Sequence, residues 1–256
     1  MRLLICIAHY FNLERFEYLK QVVQTILNQY DADFNIIIDT NSFDGVLKIE
    51  NHFNCCSKIK AVANNSLPHP YHLTWCHRAH MRKNINNYDY FFYLEDDMKV
   101  TWENFSTYVN NFKLLWPKYV PGFLRVETKN DTGEVYSTDL TAQIIAEKDK
   151  LIAIDNKVFV DVSDLYSAVW ALPRDSLKDA FRTGAALIKK GHFRENAASL
   201  PSRRMKKPVA LELDVTTKAS PLIFKNCLIH HLPNTYTNNI MSKYGNVKLA
   251  DALVVK

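Results

Sequence analysis

The sequence predicts a layered α/β fold, with a sheet that is mainly parallel in the first half and helices on both of its faces. Three observations carry this expectation. Residues 2–8 (RLLICIA) form a continuous apolar run, as in a strand covered on both sides. Residues 34–39 (FNIIID) and the run YDYFFYLEDD repeat the pattern. Helical spacing separates these runs, and parallel strands need such crossovers.

Taken in order, Asn12 suits the cap of a helix over 13–29, with Leu13, Phe16, Val23, Ile26 and Leu27 on one stripe. Residues 58–63 (KIKAVA) read as a weaker third strand and 73–87 as a helix before the fourth strand. Trp102, Phe105, Tyr108, Val109, Phe112 and Leu115 then recur at helical spacing. The second half reads differently. Residues 121–128, 134–146 and 150–162 look like short strands with turns between them, one at Asp131-Thr132-Gly133. Residues 166–172 (YSAVWAL) form a strand, and Pro173 opens a helix over 174–190, because proline suits a first helical turn. A short helix over Asn196–Leu200 and a last strand over 221–229 complete the reading. No internal repeat and no Gly-, Pro- or Ser-rich linker interrupts the chain. The expectation is a single domain over 1–256, with a nucleotide-type first half and an elaborated second half.

Composition narrows the function classes. Of 256 residues, 47% are apolar and 23% charged, which excludes a disordered or low-complexity chain. The net charge of +5 comes from 32 basic against 27 acidic residues. So thin an excess, with no groove-reading motif, argues against a nucleic-acid partner and suits an anionic small molecule or a membrane surface. No apolar run is long enough to span a membrane, and the opening MRLLICIAHYF reads as a buried strand with no cleavage pattern after it. The five cysteines show no CxxC spacing, so neither a disulfide framework nor a cysteine zinc site is expected. The expected location is cytoplasmic, with at most peripheral contact at a membrane.

Ligands of layered α/β sheets sit at the carboxyl ends of the strands. The polar residues there are His9 and Tyr10 after the first strand, Asp39 and Asn41 after the second, and Glu95, Asp96 and Asp97 after the fourth. Three successive carboxylates make a dense negative point. Mg²⁺ and Mn²⁺ are typically held by one or two carboxylates together with substrate phosphates. Asp39 is placed to accept hydrogen bonds from a ribose or a base edge. The pair Cys55-Cys56 has no base at a spacing that argues for a nucleophile.

This order of features resembles the GT-A class of nucleotide-sugar glycosyltransferases: the opening strand and loop ICIAHY, a second strand ending in Asp39, and a strand ending in the acidic motif E-D-D. The segment YSAVWALPRDSLKDAF looks like the acceptor-side strand and helix of the inverting bacterial polysaccharide glycosyltransferases. The resemblance covers roughly residues 1–200. It implies a Rossmann-like GT-A sheet, residues 1–100 binding the nucleotide sugar and 101–256 the acceptor. It implies transfer of a hexosyl or deoxyhexosyl group from a nucleoside diphosphate sugar to a hydroxyl of a glycan, with inversion. His9, Tyr10, Asp39, Asn41, Arg78 and Asp96 would contact the donor, Arg78 at its diphosphate. Glu95 and Asp97 would hold Mn²⁺ or Mg²⁺. One of His230 and His231 would complete the metal shell, His230 by preference, because neighbours on a strand face opposite ways. The proton acceptor would be Glu195 in HFRENAAS, with Asp164 its competitor. The chain departs from the family pattern at Glu95, where the motif usually begins with Asp, and at Asn196, where an acidic pair is usual.

Two other readings share the fold class. A sugar-1-phosphate nucleotidyltransferase would carry a Gly-rich loop after the first strand, whereas AHYFNLERF contains no glycine. A non-catalytic carbohydrate-binding protein would keep the fold without turnover.

Overall fold

The structure is a computed structural model that describes residues 1–54, 56–140, 143–146, 150–162, 165, 168–187, 200–214, 223–224, 226–232 and 247–255. The chain divides into two compact units, each made of two stretches: 1–98 with 168–205, and 99–167 with 206–256. It begins with β1 (Arg2–His9), α1 (Leu13–Gln29), β2 (Asp33–Thr40), α2 (Phe43–His52), β3 (Ile59–Ala63), α3 (Leu73–Lys83) and β4 (Tyr90–Glu95). It continues through β5 (Met98–Lys99), α4 (Trp102–Leu115), β6 (Val120–Pro121), β7 (Leu124–Thr128), β8 (Val135–Ser137), β9 (Ile144–Ala146), β10 (Ile152–Ile154) and β11 (Lys157–Val162). It then returns to the first unit with β12 (Trp170–Pro173) and α5 (Arg174–Arg182). The last strands are β13 (Val209–Asp214), β14 (Ile223–Phe224), β15 (Leu228–His231), β16 (Val247–Lys248) and β17 (Leu253–Val255).

The first unit holds one sheet in the order β12-β4-β1-β2-β3. Strands β4, β1, β2 and β3 run parallel, and β12 lies antiparallel on β4. This is a mixed α/β, Rossmann-like arrangement, as the alternation of apolar runs and helices predicts. Every residue of β1 after Arg2 is buried, so the strand is covered on both faces. Full burial of each large aliphatic there contributes roughly 1.5–3 kcal/mol. The register brings Ala8 level with both Asp39 and Glu95. The carboxyl ends of three neighbouring strands therefore open at one height, and sheet pairing alone collects their polar residues.

Local chemistry explains where the elements start and stop. Asn12 caps α1, its side chain accepting from the Arg15 backbone N–H at 2.8 Å. Helix α2 has no counterpart in the sequence reading, because only Gly45 and Ile49 of its residues are buried while Phe43 and Leu47 are exposed. Ser42 starts it by capping Gly45. Helix α3 stops at Lys83 instead of 87, where Asn84 turns its side chain back onto the His80 carbonyl. Helix α5 stops at Arg182 instead of 190, where Thr183 bonds the Asp179 carbonyl and Gly184 takes φ +80. The predicted helix over 196–200 lies outside the described residues except for Leu200, which opens one π-helical turn to Arg204.

The second unit is built from smaller sheets. One runs β10-β11-β13-β14, with β6 parallel on β13. The predicted strand over 150–162 is a hairpin that turns at Asp155, φ 54. The predicted strand over 221–229 breaks into β14 and β15 around Asn226, φ 54. The β16-β8-β7-β15 ladder and the parallel β9-β17 pair complete the unit. Its core gathers Leu115, Phe159 and Ala210. Beside it a satisfied polar network ties α4 to two strands: Asn111 Nδ2 donates to Glu212 Oε2 at 2.7 Å, and Lys157 Nζ donates to Asn111 Oδ1 at 2.8 Å. Among the described residues no helix is long and apolar enough to cross a membrane.

Gly45 offers a test of how tightly the turn after β2 is packed. A Cβ there would stand 2.6 Å from Thr40 Oγ1 and 3.0 Å from Phe11 Cβ. Gly45→Ala is expected to cost about 1–3 kcal/mol of stability in urea denaturation, as over-packing does. Parental stability would show that this turn yields.

Candidate functional site

The sheet order fixes where to look. From β1 the chain moves outward through β2 to β3, then crosses back to place β4 on the other side of β1. Strand order therefore reverses between β1 and β4, and such a switch point opens a crevice at the carboxyl ends. A cavity of about 400 Å³ lies there, walled by Tyr10, Arg15, Tyr71, Thr74 and Glu95. Ligand pockets typically enclose roughly 300–1,000 Å³. Tyr10 and Tyr71 are 43% and 44% exposed, so both offer aromatic surface to a ring.

Beneath the cavity lies a knot of charge. Asp96 is fully buried. His9 Nδ1 donates to Asp96 Oδ2 at 2.5 Å. Arg15 Nε donates to the same oxygen at 3.2 Å, and Arg15 Nη2 bonds Asp96 Oδ1. Nη2 also donates to Asp97 Oδ2 at 3.0 Å. Burial pushes the Asp96 pKa up, against the opposing pull of the His9 hydrogen bond and the Arg15 charge. Arg15 responds in the opposite sense: burial disfavours its cation, but Asp96 and Asp97 hold its pKa above the ordinary value. Arg15 sits in the first turn of α1, where the helix dipole disfavours a cation. The two carboxylates offset that cost, and they themselves gain from the helix N-terminus.

His9 and Asp96, expected at the donor, are fully buried and bonded to each other, and His9 Nε2 has no hydrogen-bond partner among the described residues. Asn41 is also engaged, its Oδ1 accepting from the Phe11 N–H at 2.6 Å and so tying the loop after β2 to the loop after β1. Tyr10 and Glu95 do face the cavity.

Asp39 is 1% exposed at the carboxyl end of β2. Its Oδ1 accepts from Asn64 Nδ2 and from His80 Nε2, each at 3.0 Å. Its Oδ2 is buried and has no hydrogen-bond partner among the described residues. A buried carboxylate oxygen left unbonded is costly, and such atoms mark places where a ligand donor fits. The Asp39 charge also acts on two thiols. Burial first, and Asp39 second, push Cys76 up to about 12 and Cys6 well above the ordinary thiol range. Both stay protonated at neutral pH.

A divalent cation fits this site in charge. Asp96 and Asp97 pair with the Arg15 guanidinium, and Glu95 stands in the wall of the same cavity. Among the described residues no group of three or more His, Cys, Asp or Glu side chains is arranged to hold a metal ion. The described residues thus contribute at most a pair, and Mg²⁺ is commonly bound by such a pair completed by phosphates and water. His230 and His231 belong to the second unit, on β15. There His231 Nδ1 donates to Glu127 Oε1 at 2.5 Å. Arg78 is 2% exposed on α3, with Nη1 donating to the Ala186 carbonyl at 3.4 Å. Glu195 and Asp164 lie outside the described residues.

Sequence reasoning missed Arg15, Tyr71, Thr74, Asn64 and Glu127. Arg15 carried one usable signal: a cation in the first turn of a helix calls for a nearby anion. The others owe their place to tertiary contacts that no spacing encodes.

No family profile matches this chain, and no curated protein matches it in sequence. Solved structures resemble it in chain path. A 4-diphosphocytidyl-2C-methyl-D-erythritol synthase from Anaerococcus prevotii shares 11% identity at TM-score 0.47, over 95% of this chain and 94% of that one. TarS 1-349 from S. aureus shares 8% identity at TM-score 0.45, over 90% of this chain and 60% of that one. A nucleotide-diphospho-sugar transferase, so described provisionally, from Desulfovibrio desulfuricans G20 shares 11% identity at TM-score 0.40, over 81% and 77%.

The charge knot gives a stability prediction. Arg15→Ala leaves Asp96 buried with only His9 as counterpart, and is expected to cost about 3 kcal/mol in urea denaturation. Asp96→Asn in the same chain should restore part of that loss, because it removes the stranded charge. Equal stability of Arg15→Ala and the parent would show that the ion pairs contribute nothing.

Proposed function

We propose that the first unit binds a nucleoside diphosphate sugar, and that the protein is a metal-dependent GT-A glycosyltransferase. The sugar moves to a hydroxyl of a glycan or related acceptor, with inversion at the anomeric carbon. The observation that carries this reading is the cavity at the β1/β4 switch point, with Glu95 in its wall and Arg15 beside it. Asp39 supports it, because its unbonded Oδ2 is an acceptor for a ribose hydroxyl or a base N–H.

In this reading Tyr10 and Tyr71 present ring faces to the base or the sugar. Asn64 and His80 orient the Asp39 carboxylate through its other oxygen. Arg15 keeps Asp96 and Asp97 in register and adds a fixed positive charge to the cavity wall. Glu95 and Asp97 would hold Mn²⁺ or Mg²⁺, which when bound neutralises charge on the departing diphosphate. The proton of the acceptor hydroxyl goes to a carboxylate, proposed on sequence grounds as Glu195 ahead of Asp164. Such base catalysis typically contributes about 10²–10⁴-fold in rate.

The test is a thermal-shift panel of nucleoside diphosphates and their sugars, with and without Mn²⁺. One base should stabilise the protein selectively, by about 2.7 kcal/mol at a ligand concentration 100 times its Kd. Asp97→Ala should abolish metal-dependent transfer, and Glu195→Gln should bind donor normally yet turn over slowly. No shift with any nucleotide, or transfer by Asp97→Ala at the parental rate, would overturn this reading.

A further inference from the structure

Helix α3 lays one imidazole on the edge of the first unit's sheet. Trp170 of β12 stands opposite Tyr93 of β4 in the antiparallel ladder, so the two rings lie side by side on one face. His77 of α3 touches both: its ring centroid is 4.1 Å from that of Tyr93 and 5.5 Å from that of Trp170. The Tyr93 and Trp170 centroids are 5.9 Å apart. All three side chains are buried, His77 being 1% exposed. Neither His77 ring nitrogen has a hydrogen-bond partner among the described residues, and nor does Trp170 Nε1. An aromatic stack thus encloses a titratable ring that has no counterpart for a charge.

A proton on that ring would put a cation inside the stack, where no water meets it. On α3 itself, Arg78 and His80 oppose such a charge. The strands packed against α3 do not relieve it. β4 and β12 present Tyr93 and Trp170. β1 carries Cys6, a neutral thiol, and Asp39 of β2 is bonded to His80 and Asn64. Burial first, then Arg78 and His80, hold the His77 pKa well below the ordinary 6.5. The Thr74 carbonyl, one turn back, opposes them least and lies outside hydrogen-bond geometry with the ring. We propose that His77 is an acid-sensitive latch: neutral, it clamps β12 to β4 beneath α3, and protonated, it leaves the stack and lets the edge strand β12 open. Above pH 6.5 the ring is neutral in the closed and open forms alike, and the latch holds. Below it the open form takes up a proton that the closed form does not, so opening becomes up to about tenfold more favourable per pH unit. The latch works whatever ligand the cavity takes and does not rest on the proposed glycosyl transfer.

The experiment is hydrogen–deuterium exchange of the full chain at pH 7 and pH 5, read by mass spectrometry and corrected for the intrinsic effect of pH on exchange. In the parent, protection of the peptide covering β12 is expected to fall about 25-fold between the two, the size set by one histidine that titrates only when open. Peptides covering β2 and β3 should keep their protection. His77→Phe keeps an aromatic ring in the stack and cannot take up a proton, so its β12 protection should change little. Its melting curve at pH 7 serves to show that it is folded, and loss of two unbonded buried nitrogens should leave it at least as stable as the parent. His77→Leu repeats the comparison with a smaller side chain. Equal loss of β12 protection in the parent and in the folded variants overturns the latch. So does parental β12 protection that is the same at both pH values, or a loss spread evenly over β2, β3 and β12.

Discussion

The buried carboxylate of Asp96 is the constraint around which the first unit's ligand end is arranged. A charge with no access to water has to be met inside the protein. Asp96 is met from two directions: by His9 at the end of β1 and by Arg15 in the first turn of α1. One side chain thereby ties together the ends of β1 and β4 and the start of α1. The cavity wall is a by-product of this tie, since Tyr10 lies between the two residues that reach Asp96, and Glu95 precedes it. Buried ion pairs of this kind contribute little net stability against an apolar substitute, but they hold groups in one arrangement.

The same unit shows how parallel register prepares a site before any ligand arrives. Ala8 stands level with Asp39 on one side and Glu95 on the other. The cluster thus combines a fixed backbone, which needs no side-chain choice, with a few polar groups that do. Asn41 and Gly45 belong to the backbone part, since one bonds the Phe11 N–H and the other leaves room for Phe11 and Thr40. Asp39, with one oxygen bonded and one not, belongs to the polar part.

Much of the fold was legible because strands buried on both faces are written as unbroken apolar runs, as in RLLICIA and YFFYL. Helix α2 was not, since Phe43 and Leu47 point outward and leave no stripe. The ends of α3 and α5 were overrun because Asn84 and Thr183 close the helices with side-chain bonds that no periodicity reports. At the site, the acidic triplet was legible from its place after an apolar strand. Its division of labour was not: Asp96 is bonded to residues 81 and 87 positions away in the chain. Residue type alone could not show that His9 is buried against Asp96. The pairing of Glu127 with His231, and of Trp75 with two arginines, likewise depends on packing across elements.

The antiparallel edge strand β12 has a consequence for synthesis. Its partner β4 is complete at Glu95, but β12 follows only after the whole 99–167 stretch. On the ribosome, the apolar ribbon YFFYL therefore waits with one side unpaired while that stretch emerges. An unpaired apolar edge recruits other strands. Nascent chains halted within this interval would carry the hazard, and a chaperone that shields ribbon edges would find its substrate there.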